Sequence, residues 1–276
     1  MRANTVLLLV CILAVPLFGQ IPQSQVSSDF IRQNYISSDC GIDAQLAFAA
    51  MLRATGWNHA PMAVIADLSS VDAEGQSGTA TIQTAQGNRF RSDSTSATGT
   101  SSLVINGMRA ARFTSDGIEH LPATFALSAT PIIFPYLNDL LSGRATAIQV
   151  CKLGIAQING ERVFGLQLRR SVAETERLAR LRRYTDRATV WISLSTNLPM
   201  AIDRDRVALG NYDAGVTIRT LLFEYQTING VAVPTAYQER NTTEVFFTGH
   251  LSGLHFASSI PLTTFDIPKP QAGGAQ

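Results

Sequence analysis

The run Leu222-Phe223-Glu224-Tyr225-Gln226-Thr227-Ile228-Asn229-Gly230-Val231-Ala232-Val233-Pro234 sets an Asn-Gly pair between two stretches rich in β-branched and aromatic residues. Asn-Gly favours a type I′ turn because both central residues need positive φ, and that turn has the twist of a two-residue hairpin. The same triplet recurs at Ile105-Asn106-Gly107 and Ile158-Asn159-Gly160. Three such signals predict three hairpins and hence antiparallel pairing. Asp116-Gly117 and Thr196-Asn197 are weaker turn candidates of the same kind.

Working outward from these turns, strands are expected over 63–71, 75–84, 88–94, 101–105, 109–114, 147–158, 162–170, 188–195, 200–207, 216–228, 231–239 and 244–256. Alternation is plainest in 162–170, where Val163, Gly165 and Gln167 interleave with Phe164, Leu166 and Leu168, so one face should be drier than the other. Three segments break the strand pattern and read as helices. Residues 43–55 place Leu46, Ala49, Ala50 and Leu52 near one face and stop at Gly56. Residues 131–142 are apolar almost all round and need covering on every side. Residues 172–184 set Arg177, Arg180, Arg182 and Arg183 around Leu178 and Leu181, an Arg-rich surface insertion between two strands.

At the N-terminus Arg2 precedes an apolar run, 6–18, broken only by Pro16 and followed by Gly19 and Gln20. Basic start, apolar core and small-residue exit are the order of a secretory signal. Thirteen helical residues reach about 20 Å, short of the roughly 30 Å hydrocarbon layer, so a signal is favoured over a spanning helix. Cys11 lies inside the run and reads as a signal residue, not a lipidation site. The expectation is a periplasmic or secreted protein after cleavage near residue 20. Cys40 and Cys151 then remain. A bond between them in an oxidising compartment would close a loop of about 110 residues, worth about 4 to 5 kcal/mol of chain entropy. Two buried free thiols are the alternative, because sequence alone does not place them within bonding distance.

The chain has 276 residues, 45% of them hydrophobic and 16% charged, which is globular rather than disordered composition. Its 22 basic and 21 acidic residues give +1, and loss of Arg2 makes the remainder neutral, so no nucleic-acid partner is expected. G-x-G-x-x-G, Walker, H-E-x-x-H, C-x-x-C and G-x-S-x-G motifs are absent; no cofactor is expected and the chain reads as non-enzymatic. His250 and His255, five apart on one strand, are expected on opposite faces, and no metal site is read. Asp203 and Asp205 share a face, as acid–base carboxylates would, but Arg204 and Arg206 alternate with them. The stretch reads as a solvated face of cross-strand ion pairs.

Trp191-Ile192-Ser193-Leu194-Ser195-Thr196-Asn197-Leu198-Pro199 is a strand running into a turn that ends in Leu-Pro, followed by Met200-Ala201-Ile202. Together with Tyr225, Asn229-Gly230-Val231 and Pro234, it resembles the periplasmic lipoprotein-carrier superfamily typified by LolA, whose relatives include the LppX lipid carriers and the RseB and MucB envelope-stress sensors. The resemblance covers 188–240. It implies an α+β fold, a strongly curved antiparallel sheet or half-barrel with helices covering its concave face over an apolar cavity. Residues 43–55 would be the entry helix and 131–142 the lid. The domain division that follows is signal peptide 1–20, lead-in 21–38, LolA-like half-barrel 39–267 and disordered tail 268–276. The implied function is an exported binding protein sheltering a lipid, a lipoprotein acyl chain or another hydrophobic ligand. Its candidate lining residues are Phe125, Ile132, Phe134, Leu137, Leu140, Leu141, Trp191, Leu222 and Phe223. The alternative is an envelope protein-interaction or stress-sensor module that docks a protein or an anionic membrane surface through Arg177, Arg180, Arg182 and Arg183.

Overall fold

The computed structural model describes residues 40–57, 63–85, 87–128, 148–170, 187–208, 211–241 and 244–268. The signal and lead-in segments, the expected helices at 131–142 and 172–184, and the tail beyond residue 268 lie outside the described residues.

Thirteen strands form one sheet: β1 (Ala63–Asp72), β2 (Ser77–Ala85), β3 (Arg89–Ser96), β4 (Gly99–Asn106), β5 (Arg109–Thr114), β6 (Gly117–Leu121), β7 (Ile148–Ile158), β8 (Glu161–Arg170), β9 (Arg187–Ser193), β10 (Pro199–Ala208), β11 (Asn211–Ile228), β12 (Val231–Arg240) and β13 (Val245–Ala257). Their order is β6-β5-β4-β3-β2-β1-β13-β12-β11-β10-β9-β8-β7, a pair of meanders joined where β1 meets β13. Every neighbouring pair is antiparallel, as the hairpin signals required. All the expected strands are present. The additional one, β6, follows the weak Asp116-Gly117 turn and pairs with β5.

All three Asn-Gly turns fall at one end of the sheet, hereafter the Asn-Gly end. Asn159 and Gly160 have φ of 51° and 82°, and Asn229 and Gly230 have 51° and 79°, the expected I′ signature. The third departs from the expectation. Asn106 stays in β4 opposite Arg109, so the turn is Gly107-Met108 with only Gly107 at positive φ, the type II′ pattern.

Among the described residues two α-helices accompany the sheet, α1 (Ile42–Thr55) and α2 (Ala123–Ser128). α2 touches both β5 and β10, which stand eight strands apart in the sheet order. In a flat sheet those strands would be about 38 Å apart at roughly 4.8 Å per strand, so the sheet must curl around this helix. Its face is therefore the concave one. α1 touches β7 and β12. Five strand spacings are about 24 Å, and fourteen helical residues are about 21 Å long, so α1 runs across the strands as a strut. The edge strands β6 and β7 do not pair with each other, and the curl stays open.

The main core lies on the concave face, where Ala44 and Met51 of α1 and Phe125 and Ala126 of α2 join inward residues from both halves of the sheet. The expected α1 stripe needs correction. Ala44, Met51 and Thr55 are buried, with Ala47, Phe48 and Leu52 packed beside the core, whereas Leu46 is 59% exposed. The helix is rotated so that the 44-48-51-55 row faces the sheet, with Leu52 at its margin.

Two smaller apolar clusters sit on the convex face. One, beneath β1, β2, β4 and β5, is closed by Ile260, Phe265 and Ile267 of the C-terminal segment. That segment is held through its carbonyls, which accept hydrogen bonds from Arg91 at Thr264, Asn106 at Phe265, and Arg109 at Ile267 and Pro268. The other gathers Ile158, Val163, Ala201 and Leu221. Its presence explains why β8 is not drier on one face only: Val163, Gly165 and Gln167 are as buried as Leu166 and Leu168. Gly165 makes room for Trp191, since a Cβ there would lie 2.7 Å from the indole ring.

Candidate ligand-binding face

α1 is fastened at both ends. At its start Cys40 is disulfide-bonded to Cys151 on β7, which resolves the two readings left open by the sequence in favour of the bond. At its finish Gly56 takes φ 68° and its N–H donates to the Leu52 carbonyl at 2.9 Å, a left-handed cap. A Cβ on Gly56 would also run into the carbonyl of Gly230, so both conformation and space demand glycine. Trp57 follows, buried, with its indole Nε1 donating to the Ala232 carbonyl of β12 at 2.8 Å.

Beneath this strut the concave face is graded. Towards the Asn-Gly end it is apolar, with Val64, Ile82, Phe90, Ile105, Ile192, Ile202, Leu222 and Val233 all buried in one cluster. Towards the far end the same strand faces turn polar. Ser70 follows Leu68 on β1, Ser92 and Ser94 follow Phe90 on β3, Arg204 follows Ile202 on β10, and Glu239 follows Tyr237 on β12; each of these polar side chains is buried. Arg204 is 6% exposed and Glu239 0%, with Nη2 to Oε1 at 3.8 Å, and the Thr220 hydroxyl lies 3.5 Å from the same carboxylate oxygen. Ser94 bonds the Ser101 side chain at 2.9 Å. Tyr237 lies over Gly249, where a Cβ would sit 2.6 Å from the phenol oxygen, and stacks on Phe247 with centroids 5.7 Å apart.

The reading of 203–206 as a solvated ion-pair face is therefore half right. Asp203 does pair across the strands, accepting from Arg219 Nε at 2.6 Å and Nη2 at 2.7 Å, and from Trp191 Nε1 at 2.7 Å. Asp205 accepts from Thr217 at 2.7 Å, so the two carboxylates have separate hydrogen-bond partners. Arg204 faces the opposite way, into the concave core, because strand residues alternate sides.

The structure does not gather the expected lining residues onto one face. Phe125 and Leu222 belong to the concave core. Trp191 and Phe223 pack on the convex side with Val163, Ala201 and Leu221. Adjacent residues of an extended strand cannot both point inward, which separates Leu222 from Phe223. Ile132, Phe134, Leu137, Leu140 and Leu141 lie outside the described residues, as do Arg177, Arg180, Arg182 and Arg183. Met51, Ile202, Tyr237, Arg204 and Glu239 were missed. The signal for two of them was present: Leu222 sets the inward parity, Tyr237 stands opposite it in register, and Glu239 stands opposite Thr220.

His250 and His255 are also corrected. A bulge where Gly253 takes φ 58° shifts the register, so His250 lies opposite Ser69 and His255 opposite Ile65, both on the convex face. Their partners are still four residue steps apart along β1, about 13 Å. Among the described residues no group of three or more His, Cys, Asp or Glu side chains is placed to hold a metal.

No family model matches the sequence, and neither does any curated protein. Solved structures do. A LolA superfamily protein from Nitrosomonas europaea superposes with a TM-score of 0.50 at 12% identity, covering 81% of this chain and 97% of that one. The chain has the LolA fold. A DUF1329 family protein from Desulfovibrio piger matches equally well, with a TM-score of 0.51, 12% identity, and 81% and 97% coverage. At this identity the likeness is one of fold, and within the LolA fold the residues lining the concave face are this chain's own.

Proposed function

We propose that the protein is an exported, non-catalytic binding protein that shelters an apolar ligand, the acyl chain of a lipid or lipoprotein, on the concave face of its sheet. The observation that carries this reading is the gradient just described: a buried apolar core on the concave face that joins residues of both meanders and passes into Arg204, Glu239, Thr220 and the buried serines along the same strand faces. An amphiphile has the matching polarity. Burying a chain of about 14 methylenes is worth about 11 kcal/mol at roughly 0.8 kcal/mol per CH₂, ample against the cost of ordering it. The disulfide supports export, since such bonds persist in oxidising compartments, and the N-terminal run reads as the signal that would deliver the chain there.

Solvent extraction of the purified protein followed by mass spectrometry is expected to release acylated molecules. The stripped protein is expected to take up a fluorescent fatty acid that unlabelled fatty acid displaces. Absence of both extractable lipid and uptake would overturn the proposal.

A further inference from the structure

On the convex face, away from the apolar surface, β8 and β9 carry an unusual ladder step. Arg169 stands directly opposite Arg187. Like charges in that position repel across about 5 Å and destabilise the pair unless something compensates. Among the described residues no carboxylate does so. Among the described residues the Arg187 side chain has no hydrogen bond, and Arg169 uses its Nε to donate to Gln167 Oε1 at 2.6 Å. Burial, and then the charge of Arg187, hold the Arg169 guanidinium below its ordinary pKa.

The next step of the same ladder sharpens the picture. Gln167 lies opposite Thr189 and is 1% exposed. With its oxygen facing Arg169, its Nε2 is left buried without a hydrogen-bond partner. A buried amide donor without an acceptor costs about 1 to 3 kcal/mol. Two half-buried guanidiniums and this amide thus form a cluster of donors that lacks an acceptor. The nearby carboxylates of β10 are engaged elsewhere: Asp203 with Arg219 and Trp191, Asp205 with Thr217.

We propose that Arg169, Arg187 and the Gln167 amide form a binding site for a phosphate-type oxyanion. A tetrahedral anion supplies acceptors in several directions, neutralises the opposed charges and satisfies planar guanidinium forks. Free phosphate and a phospholipid head group present the same chemistry. The site is on the opposite face from the proposed acyl surface, so it does not depend on that reading.

Calorimetric titration of inorganic phosphate into the full chain tests it. Saturable binding is expected, about tenfold or more weaker in Arg187→Gln and in Arg169→Gln, since each removes a charge-assisted contact. Relief of the like-charge contact should keep these variants folded, which circular dichroism checks. Asp205→Asn, on the adjoining strand, is expected to tighten binding. Retention on phosphatidylglycerol but not phosphatidylcholine vesicles, competed by inorganic phosphate, would assign the site to a lipid head group. Phosphate binding without vesicle retention would assign it to the free anion. No saturable phosphate binding by the wild type, or unchanged binding by Arg187→Gln, would overturn the site.

Discussion

Replacing Cys40 and Cys151 together with serine tests how α1 is held on the sheet. The two residues are 111 apart in sequence, and releasing a loop of that length returns about 16 cal/mol/K to the unfolded chain, or about 4.8 kcal/mol at 25 °C. For a domain of this size a loss of 1 kcal/mol lowers Tm by about 2 to 4 °C, so the double variant is expected to melt roughly 10 to 19 °C below the wild type. Urea unfolding followed by circular dichroism measures the same loss in free energy, and reductant added to the wild type should reproduce it. The structure adds a local expectation. The finish of α1 keeps the Trp57 to Ala232 bond and the Gly56 cap, whereas its start loses its only covalent hold. Amide exchange should therefore accelerate in the first turn, around Asp43 and Ala44, more than at Met51 and Leu52. A double variant within about 1 kcal/mol of the wild type, with unchanged exchange in that turn, would refute loop closure as the origin of the hold.

Glu239→Ala is expected to cost about 3 to 5 kcal/mol in urea unfolding, because it leaves the buried Arg204 charge without that carboxylate. The paired replacement Arg204→Met with Glu239→Leu should cost far less, since no buried charge then remains; equal costs for the two variants would contradict the assignment. Glu161 gives a pH dependence. The Ser193 and Ser195 hydroxyls donate to its carboxylate and hold its pKa below the ordinary value of about 4.5. A carboxyl depressed in the folded state stabilises fully above its unfolded pKa, and that contribution is lost as pH falls through the folded one. Ser193→Ala with Ser195→Ala should raise the Glu161 pKa in a carbon-13 titration and remove this part of the acid-side loss; an unmoved titration would sink the argument.

Much of the architecture was legible because its signals are local. Asn159-Gly160 and Asn229-Gly230 need nothing beyond their own backbone preferences to specify I′ turns, and the hairpins they close set antiparallel pairing for the strands on either side. α1 was found from its spacing and its Gly56 stop. The errors share a different origin. The rotation of α1 depends on which row of side chains the sheet offers to meet, and helix periodicity alone left Leu46 on the wrong side. His250 and His255 changed faces because one bulge at Gly253 inserts a residue, and a single inserted residue reverses the parity of all that follows. Trp191 and Phe223 were grouped with Leu222 as lining of the apolar cavity the resemblance implies, whereas a strand assigns faces by position.

The sequence by itself thus determined twelve of the thirteen strands, the Asn-Gly hairpins, the first helix and the two cysteines available for pairing, since these follow from dihedral preference, period and composition. Only the tertiary structure decided that Cys40 meets Cys151, that the sheet curls until α2 touches strands eight apart, and that Arg204 joins Glu239 inside. Those relations join residues far apart in sequence through the accumulated twist of thirteen strands, and no local preference in the chain encodes that sum.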